Sequence, residues 1–268
     1  MIGVSDTQPV VEEYHAAGPC LLGSIRNETA HRRAASVAQA VATTRNVELL
    51  VSEKPADHPD PGSVLPESHR ERYCSTVNGV DDWQTLDPII SQHAPSAVVL
   101  KRHTQQHLID ELFSDRAERL ASDTDVLTVD GRGETDRIAS ILVPVAGGRH
   151  SQLAVETAVA LGRANDAAVD LVHVLDADTD AGREAGQRVL AETLASVETR
   201  ETDQIDTWLY ETPGVPEAIT EQSSYYDLTV MGAPTDSPLK RFVFGSTSKQ
   251  VQKEASSSVI VAHANGSE

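Results

Sequence analysis

The sequence predicts an α/β protein of two tandem domains, each a five-stranded parallel sheet with helices on both faces, of the Rossmann-like kind. Three observations carry the prediction. Runs of branched apolar residues alternate with segments of helical spacing, a pattern of parallel strands covered on both faces. The same order of elements runs twice along the chain, as an internal duplication does. A length of 268 residues also gives each copy enough chain to bury a core of its own.

The second copy, residues 137–265, is the plainer. "RIASILVPV" (137–145) reads as a strand, "GGRH" as a turn, and "SQLAVETAVALGRA" (151–164) as a helix with apolar residues on one face. "AVDLVHVLD" (168–176) is a second strand, and "AGREAGQRVLAETLASVETR" (181–200) a long amphipathic helix. "QIDTWLYE" (204–211) alternates as a third strand, and "VPEAITEQSS" opens a short helix with Pro216 in its first turn. "YDLTVMG" is a fourth strand. A loop, a helix from about Gly245 and the strand "SSVIVAHA" (257–264) complete the copy.

The first copy, residues 18–130, follows the same plan. Its segments are "GPCLLGSI" (18–25), "AHRRAASVAQAVA" (30–42), "NVELLVS" (46–52), "DWQTLDPIISQHA" (82–94), "SAVVLKR" (96–102), "DRAERLA" (115–121) and "TDVLTVD" (124–130). The long second helix is replaced by "EKPADHPDPGSVLPESH" (53–69), whose prolines forbid a continuous helix and imply an exposed loop. "GRGETD" (131–136) is the linker.

Composition narrows the function. A net charge of −19 argues against nucleic acid or an anionic membrane as partner, because either needs a basic stripe. The acidity is even: residues 1–134 hold 21 acidic and 12 basic residues, residues 135–268 hold 20 and 10. With five lysines only, such a surface suits a halophilic protein, since ~1 M salt shortens the Debye length to ~3 Å and screens the self-repulsion. No apolar run approaches the ~18 residues of a membrane span, and the N-terminus lacks the pattern of a signal peptide. A cytoplasmic protein without membrane insertion is expected. Cys20 and Cys74 are too few for a disulfide framework or a zinc site, and no metal is expected; His103 and His107 stand four apart but in a polar loop. No set of nucleophile, base and oxyanion donors assembles, so no catalytic residue is assigned.

Four stretches of the second half, "ILVPV" before a helix, "DLVHV", "GVPEAITEQSSYYDLTVMG" and "GSTSKQVQKEASSSVIVAH", together resemble the universal stress protein family. The resemblance implies a stress-response or regulatory role without enzymatic activity, and a nucleotide motif of Gly, two residues, Gly, nine residues, Gly, then Ser or Thr. Here Gly232, Thr235, Gly245 and Ser246 keep the spacing, with Thr235 in place of the middle glycine. Glycines let the backbone approach phosphate, and the amides of a following helix N-terminus point at the anion. By this resemblance Gly232, Thr235, Gly245, Ser246, Thr247 and Ser248 would hold the phosphates of an ATP-type nucleotide weakly, and the Gly147–Gly148 turn would hold the nucleoside. Ala146 stands where the family typically has an Asp. In the first half Lys101, Thr104, Ser114 and Asp115 occupy the motif positions, and no nucleotide is expected there. The alternative is a ligand-free interaction module that docks on a transporter or a regulated enzyme. The family also pairs the last strands of two domains across a dimer interface. The expectation here is an intrachain pseudo-dimer joined through "DVLTVD" and "SVIVAH", with further oligomerisation left open.

Overall fold

Branched residues at the sheet's centre and a change of strand direction at its middle organise the molecule. The computed structural model describes residues 18–22, 28–53, 74–78, 86–102, 117–130, 137–175, 179–200, 203–212, 214–233, 251, 254–255 and 257–266. The predicted proline-rich loop (from residue 54 on), the linker 131–136, and Thr104, Ser114 and Asp115 lie outside the described residues.

In the first half the strands are β1 (Cys20–Leu22), β2 (Leu49–Glu53), β3 (Cys74–Asn78), β4 (Ala97–Arg102) and β5 (Asp125–Asp130), with helices α1 (Glu28–Arg45) and α2 (Leu86–His93). In the second half they are β6 (Ser140–Pro144), β7 (Ala168–Leu175), β8 (Ile205–Glu211), β9 (Leu228–Gly232) and β10 (Ser258–His263), with helices α3 (Gly148–Asn165), α4 (Asp180–Ala195) and α5 (Val215–Gln222). The ten described strands form one sheet in the order β3-β2-β1-β4-β5-β10-β9-β6-β7-β8. Each half is parallel within itself, and the order of one half is that of the other reversed across the middle. The registers match too: Cys20 lies against Leu49 and Ala97 as Ile141 lies against Val169 and Leu228.

β3 is a strand that sequence reading missed. "CSTVN" is short and polar, without the apolar alternation by which strands are recognised, because it is an edge strand paired with β2 alone. The start of α3 also differs. The helix begins at Gly148, three residues before Ser151, so the turn is confined to Ala146 and Gly147. At its other end Asp166 closes α3 in the left-handed conformation (φ 53°) with its N–H on the Gly162 carbonyl, and Asn46 takes the same φ beyond α1.

The halves meet where β5 and β10 run antiparallel, with Ile260 opposite Val129 and His263 opposite Val126. Every residue of β10 is buried. On one face α1 and α3 pack into a single apolar core that spans both halves, from Cys20, Leu49 and Val99 to Ile141, Leu161 and Ile260. On the other face the core is divided, with Leu21, Leu50, Ile89 and Val98 in one half and Ile219, Met231, Val251 and Val261 in the other. Small residues such as Ala34, Ala38, Ala154 and Ala158 are fully buried in the helices, which brings helix backbones close.

Arg45, the last residue of α1, ties the seam together. Its guanidinium donates to Glu156 Oε1 of α3 (2.8 Å), to Asp125 Oδ2 of β5 (2.6 Å) and to the Ser96 carbonyl (2.9 Å). The other oxygen of Asp125 accepts the Asn265 amide at 2.7 Å, so one carboxylate joins both halves. Exposed ion pairs are worth about 0.5 kcal/mol and breaking a buried one costs about 4. Arg45 is largely shielded and Glu156 more open, with side-chain exposures of 15% and 36%. We expect Arg45→Met to cost about 2 kcal/mol, between those limits, read as a lower urea midpoint with unchanged slope.

The seam also carries a buried titratable group. Burial pushes the His263 imidazole down to about 3, and the neighbouring charge of His150 pushes the same way. In the unfolded chain the ring titrates near ~6.5. The unfolded state therefore binds the proton first as pH falls. Stability from the neutral ring is complete above pH ~6.5 and is lost between ~6.5 and about 3, at about 1.4 kcal/mol per pH unit. Urea unfolding at stepped pH should show that slope, and His263→Phe should remove most of it.

Candidate functional site

In the second half the connection from β6 to β7 runs one way along the sheet, and β9 lies on the other side of β6. The strand order therefore reverses beside β6, and a crevice opens outside the carboxyl ends of these strands, as is general for open parallel sheets. Its walls are apolar: Pro144 from β6, Val172 and Val174 from β7, Val215 and Ile219 from α5, and Met231 from β9. Its rim is backbone, from Ala146 and Gly147 on one side and Gly232 and Ala233 on the other.

Each rim glycine has its own physical reason. Gly147 and Gly148 sit at φ +86° and +78°, where L side chains are strained. That double turn lets the chain leave β6 and enter α3 at once. Gly147 is the N-cap and makes no side-chain capping bond, and the first turn of α3 holds no acid. The first amides of α3 thus lie at the crevice end of the sheet, with no acid in the helix's own first turn. Ser151 stabilises the turn from inside the helix, its Oγ accepting the Ala146 N–H at 3.2 Å.

Gly232 is required by close packing. A Cβ there would stand 2.8 Å from the His150 carbonyl carbon and 2.9 Å from the Ser151 nitrogen. The N-terminus of α3 rests on β9 at this residue. His150 fixes that contact from the other side, where its Nδ1 accepts the Ala264 amide at 2.9 Å. Lys101 holds the corresponding place in the first half: it lies opposite Val129 on β5 as Gly232 lies opposite Ala262 on β10. A lysine backbone position cannot admit a helix so closely. Burial lowers the Lys101 ammonium pKa.

Of the residues expected to bind ligand, Gly147 and Gly232 line one crevice, while Gly148 opens α3 behind the turn, with open space where a Cβ would stand, and is not part of the lining. Thr235, Gly245, Ser246, Thr247 and Ser248 lie outside the described residues, though Val251 and Glu254 beyond them are helical. Val172, Val174, Val215 and Ile219 were not anticipated as lining. The reversal of strand order beside β6 is the signal that would have found them, because it makes the ends of β7 and α5 neighbours of the turn. His173 of β7 donates Nδ1–H to the Val145 carbonyl at 2.7 Å and lies against Gly186 of α4. The described residues contain no group of three or more metal-ligating side chains, and no described helix is long and apolar enough to cross a membrane.

Comparison with known proteins agrees with this geometry. Residues 138–263, just under half of the chain, match the model of the universal stress protein family. Among solved structures, a universal stress protein from Archaeoglobus fulgidus superposes with a TM-score of 0.55 at 14% identity, over 94% of this chain and 97% of that one. The cytoplasmic domain of a prokaryotic cation chloride cotransporter gives 0.60 at 15% identity, over 94% and 97%. A functionally unknown protein from Pseudomonas aeruginosa gives 0.55 at 18% identity, over 92% of each chain. No curated protein matches the chain. The fold is therefore that of the universal stress proteins.

The two kinds of glycine should respond differently to a methyl group. Gly148→Ala meets nothing within 4 Å and pays only for its φ, roughly 1–2 kcal/mol. Gly232→Ala must push α3 off β9 and should cost up to about 3 kcal/mol. Thermal melts of the two variants compare these costs directly.

Proposed function

We propose that the chain is a non-enzymatic stress or regulatory protein of the universal stress protein kind, cytoplasmic, which binds an adenine nucleotide weakly through its second half. The observation that carries the reading is the crevice at the switch point beside β6, an apolar slot bounded by Ala146 and Gly147 on one side and by Gly232 on the other. A flat base fits between Val172, Val174, Ile219 and Met231, where burial of its faces supplies affinity. The sugar falls beside Ala146. In this reading the phosphates are held by Gly245, Ser246, Thr247 and Ser248, which the sequence pattern assigns to the start of a helix with free amides and hydroxyls. Thr235 in the middle of the motif and Ala146 at the sugar make the site weaker than an intact one; a lost hydrogen bond at Ala146 is worth roughly 0.5–1.5 kcal/mol. The first half, with Lys101 in place of the packing glycine, binds no nucleotide in this reading.

The second reading is an interaction module that docks on a transporter or a regulated enzyme without ligand. Ala146, Pro234 and Thr235 favour it, since each removes or stiffens part of the cradle. The likeness to a cotransporter's cytoplasmic domain fits it as well.

Calorimetric titration with ATP, ADP and AMP separates the two. Binding at micromolar to millimolar nucleotide, lost in Gly245→Val and tightened about tenfold in Ala146→Asp, supports the nucleotide reading. Silence at millimolar nucleotide, or a Gly245→Val variant that binds like the wild type, leaves the interaction module.

A further inference from the structure

β8 is the last described strand of the sheet, and of the devices that normally blunt an edge it carries only the acids Asp206 and Glu211. It holds no proline, lysine or glycine, and it pairs with β7 without a bulge from Ile205 opposite Val169 to Glu211 opposite Leu175. The ladder fixes which of its backbone groups face outward. Val169 N–H donates to the Gln204 carbonyl at one end and Thr212 N–H to the Leu175 carbonyl at the other. In a parallel pair the bonded residues alternate, so Gln204, Asp206, Trp208, Tyr210 and Thr212 serve β7. The N–H and C=O groups of Ile205, Thr207 and Leu209 point away from the sheet, and no described residue pairs with them.

The side chains of this edge show what would complete it. Ile205 and Leu209 turn to the face that carries the shared core. Asp206, Trp208 and Tyr210 turn to the other face. There Trp208 is 56% exposed, a large open indole in a chain with two tryptophans. Asp206 lies in register with Asp170 on the same face, and like charges placed opposite each other across a strand pair are destabilising. Tyr226 donates to Asp170 Oδ2 at 2.6 Å, while no described cation pairs with either carboxylate. Two acids and an open indole side by side are the surroundings in which a lysine or arginine is doubly attracted, by charge and by the ring face.

We propose that the β8 edge receives an extended, Lys- or Arg-bearing segment of a partner protein, which adds as an eleventh strand outside Ile205, Thr207 and Leu209 and sets a cation between Trp208 and the Asp170–Asp206 pair. The main chain supplies the affinity of such an addition and the alternate side chains its selectivity. Charge chooses between occupants. A second copy of this chain carries −19 as well and repels the edge, whereas a basic segment is drawn to it. This inference does not depend on nucleotide binding.

The test uses the full chain and a fluorescein-labelled nine-residue peptide of alternating valine and lysine, with the valine–glutamate peptide as its counterpart, read by anisotropy. The lysine peptide should bind, and the glutamate peptide should not. Thr207→Pro removes an outward N–H while leaving the bonds to β7 in place, and should weaken binding at least tenfold. Trp208→Ala should weaken it severalfold. Should Thr207→Pro fail to fold, Asp206→Lys carries the decision, with loss of lysine-peptide binding expected. The proposal is overturned by an absence of binding at about 1 mM peptide. It is overturned equally by a folded Thr207→Pro, or an Asp206→Lys, that binds like the wild type, since attraction to net charge alone would then suffice. Sedimentation showing a wild-type dimer that Thr207→Pro dissolves would assign the edge to a second copy instead.

Discussion

The antiparallel pairing of β5 with β10 is the constraint on which the rest of the structure depends. Each half alone would end in a long apolar strand with an open row of amides and carbonyls, a template for uncontrolled pairing. Joined, the two strands become the buried centre of the sheet. The join also decides the helices. Because the strands meet antiparallel, α1 and α3 fall on the same face and pack against each other, so one apolar core runs unbroken across both halves. Arg45, at the end of α1, satisfies a carboxylate from each half together with the Ser96 carbonyl.

At the crevice, packing and recognition compete for the same glycines. Gly232 admits the N-terminus of α3 within van der Waals contact of β9, which closes the core below it and sets the floor of the slot above it. The Gly147–Gly148 turn lets α3 begin immediately after β6, so that its first amides stay at the sheet's end instead of being carried away on a longer loop. A glycine in such a motif therefore serves the fold before it serves a ligand. Gly147 and Gly232 are both accounted for by the turn and by the packing, whatever the crevice holds.

Much of the fold was legible because its signals are local. Branched runs such as "ILVPV" and "LTVMG", and the Pro216 start of α5, carry their structure in their own residues. β3 was not, because "CSTVN" takes its strand form from β2 and has no apolar face to reveal. The first turn of α3 was not, because two glycines read as a loop until the helix behind them supplies hydrogen bonds. At the site, the glycines were visible as a spacing, while the apolar walls were not, since Val172 and Ile219 are distant in sequence and meet only through the reversal of strand order. The open edge of β8 likewise shows only once it is known to lie last in the sheet.

The change of direction at the seam also sets polarity. The carboxyl ends of β1, β4 and β5 lie along one rim of the sheet, and those of β6, β9 and β10 along the opposite rim, separated by a strand's length of about 20 Å. Whatever occupies the crevice of the second half is therefore remote from the corresponding rim of the first, and the two surfaces are free to diverge without conflict. The halves behave as an asymmetric pair held at fixed stoichiometry by the peptide chain. What links the two rims is structural: the β5–β10 ladder, the packing of α1 on α3, and the contacts of Arg45 and Asp125 across the seam.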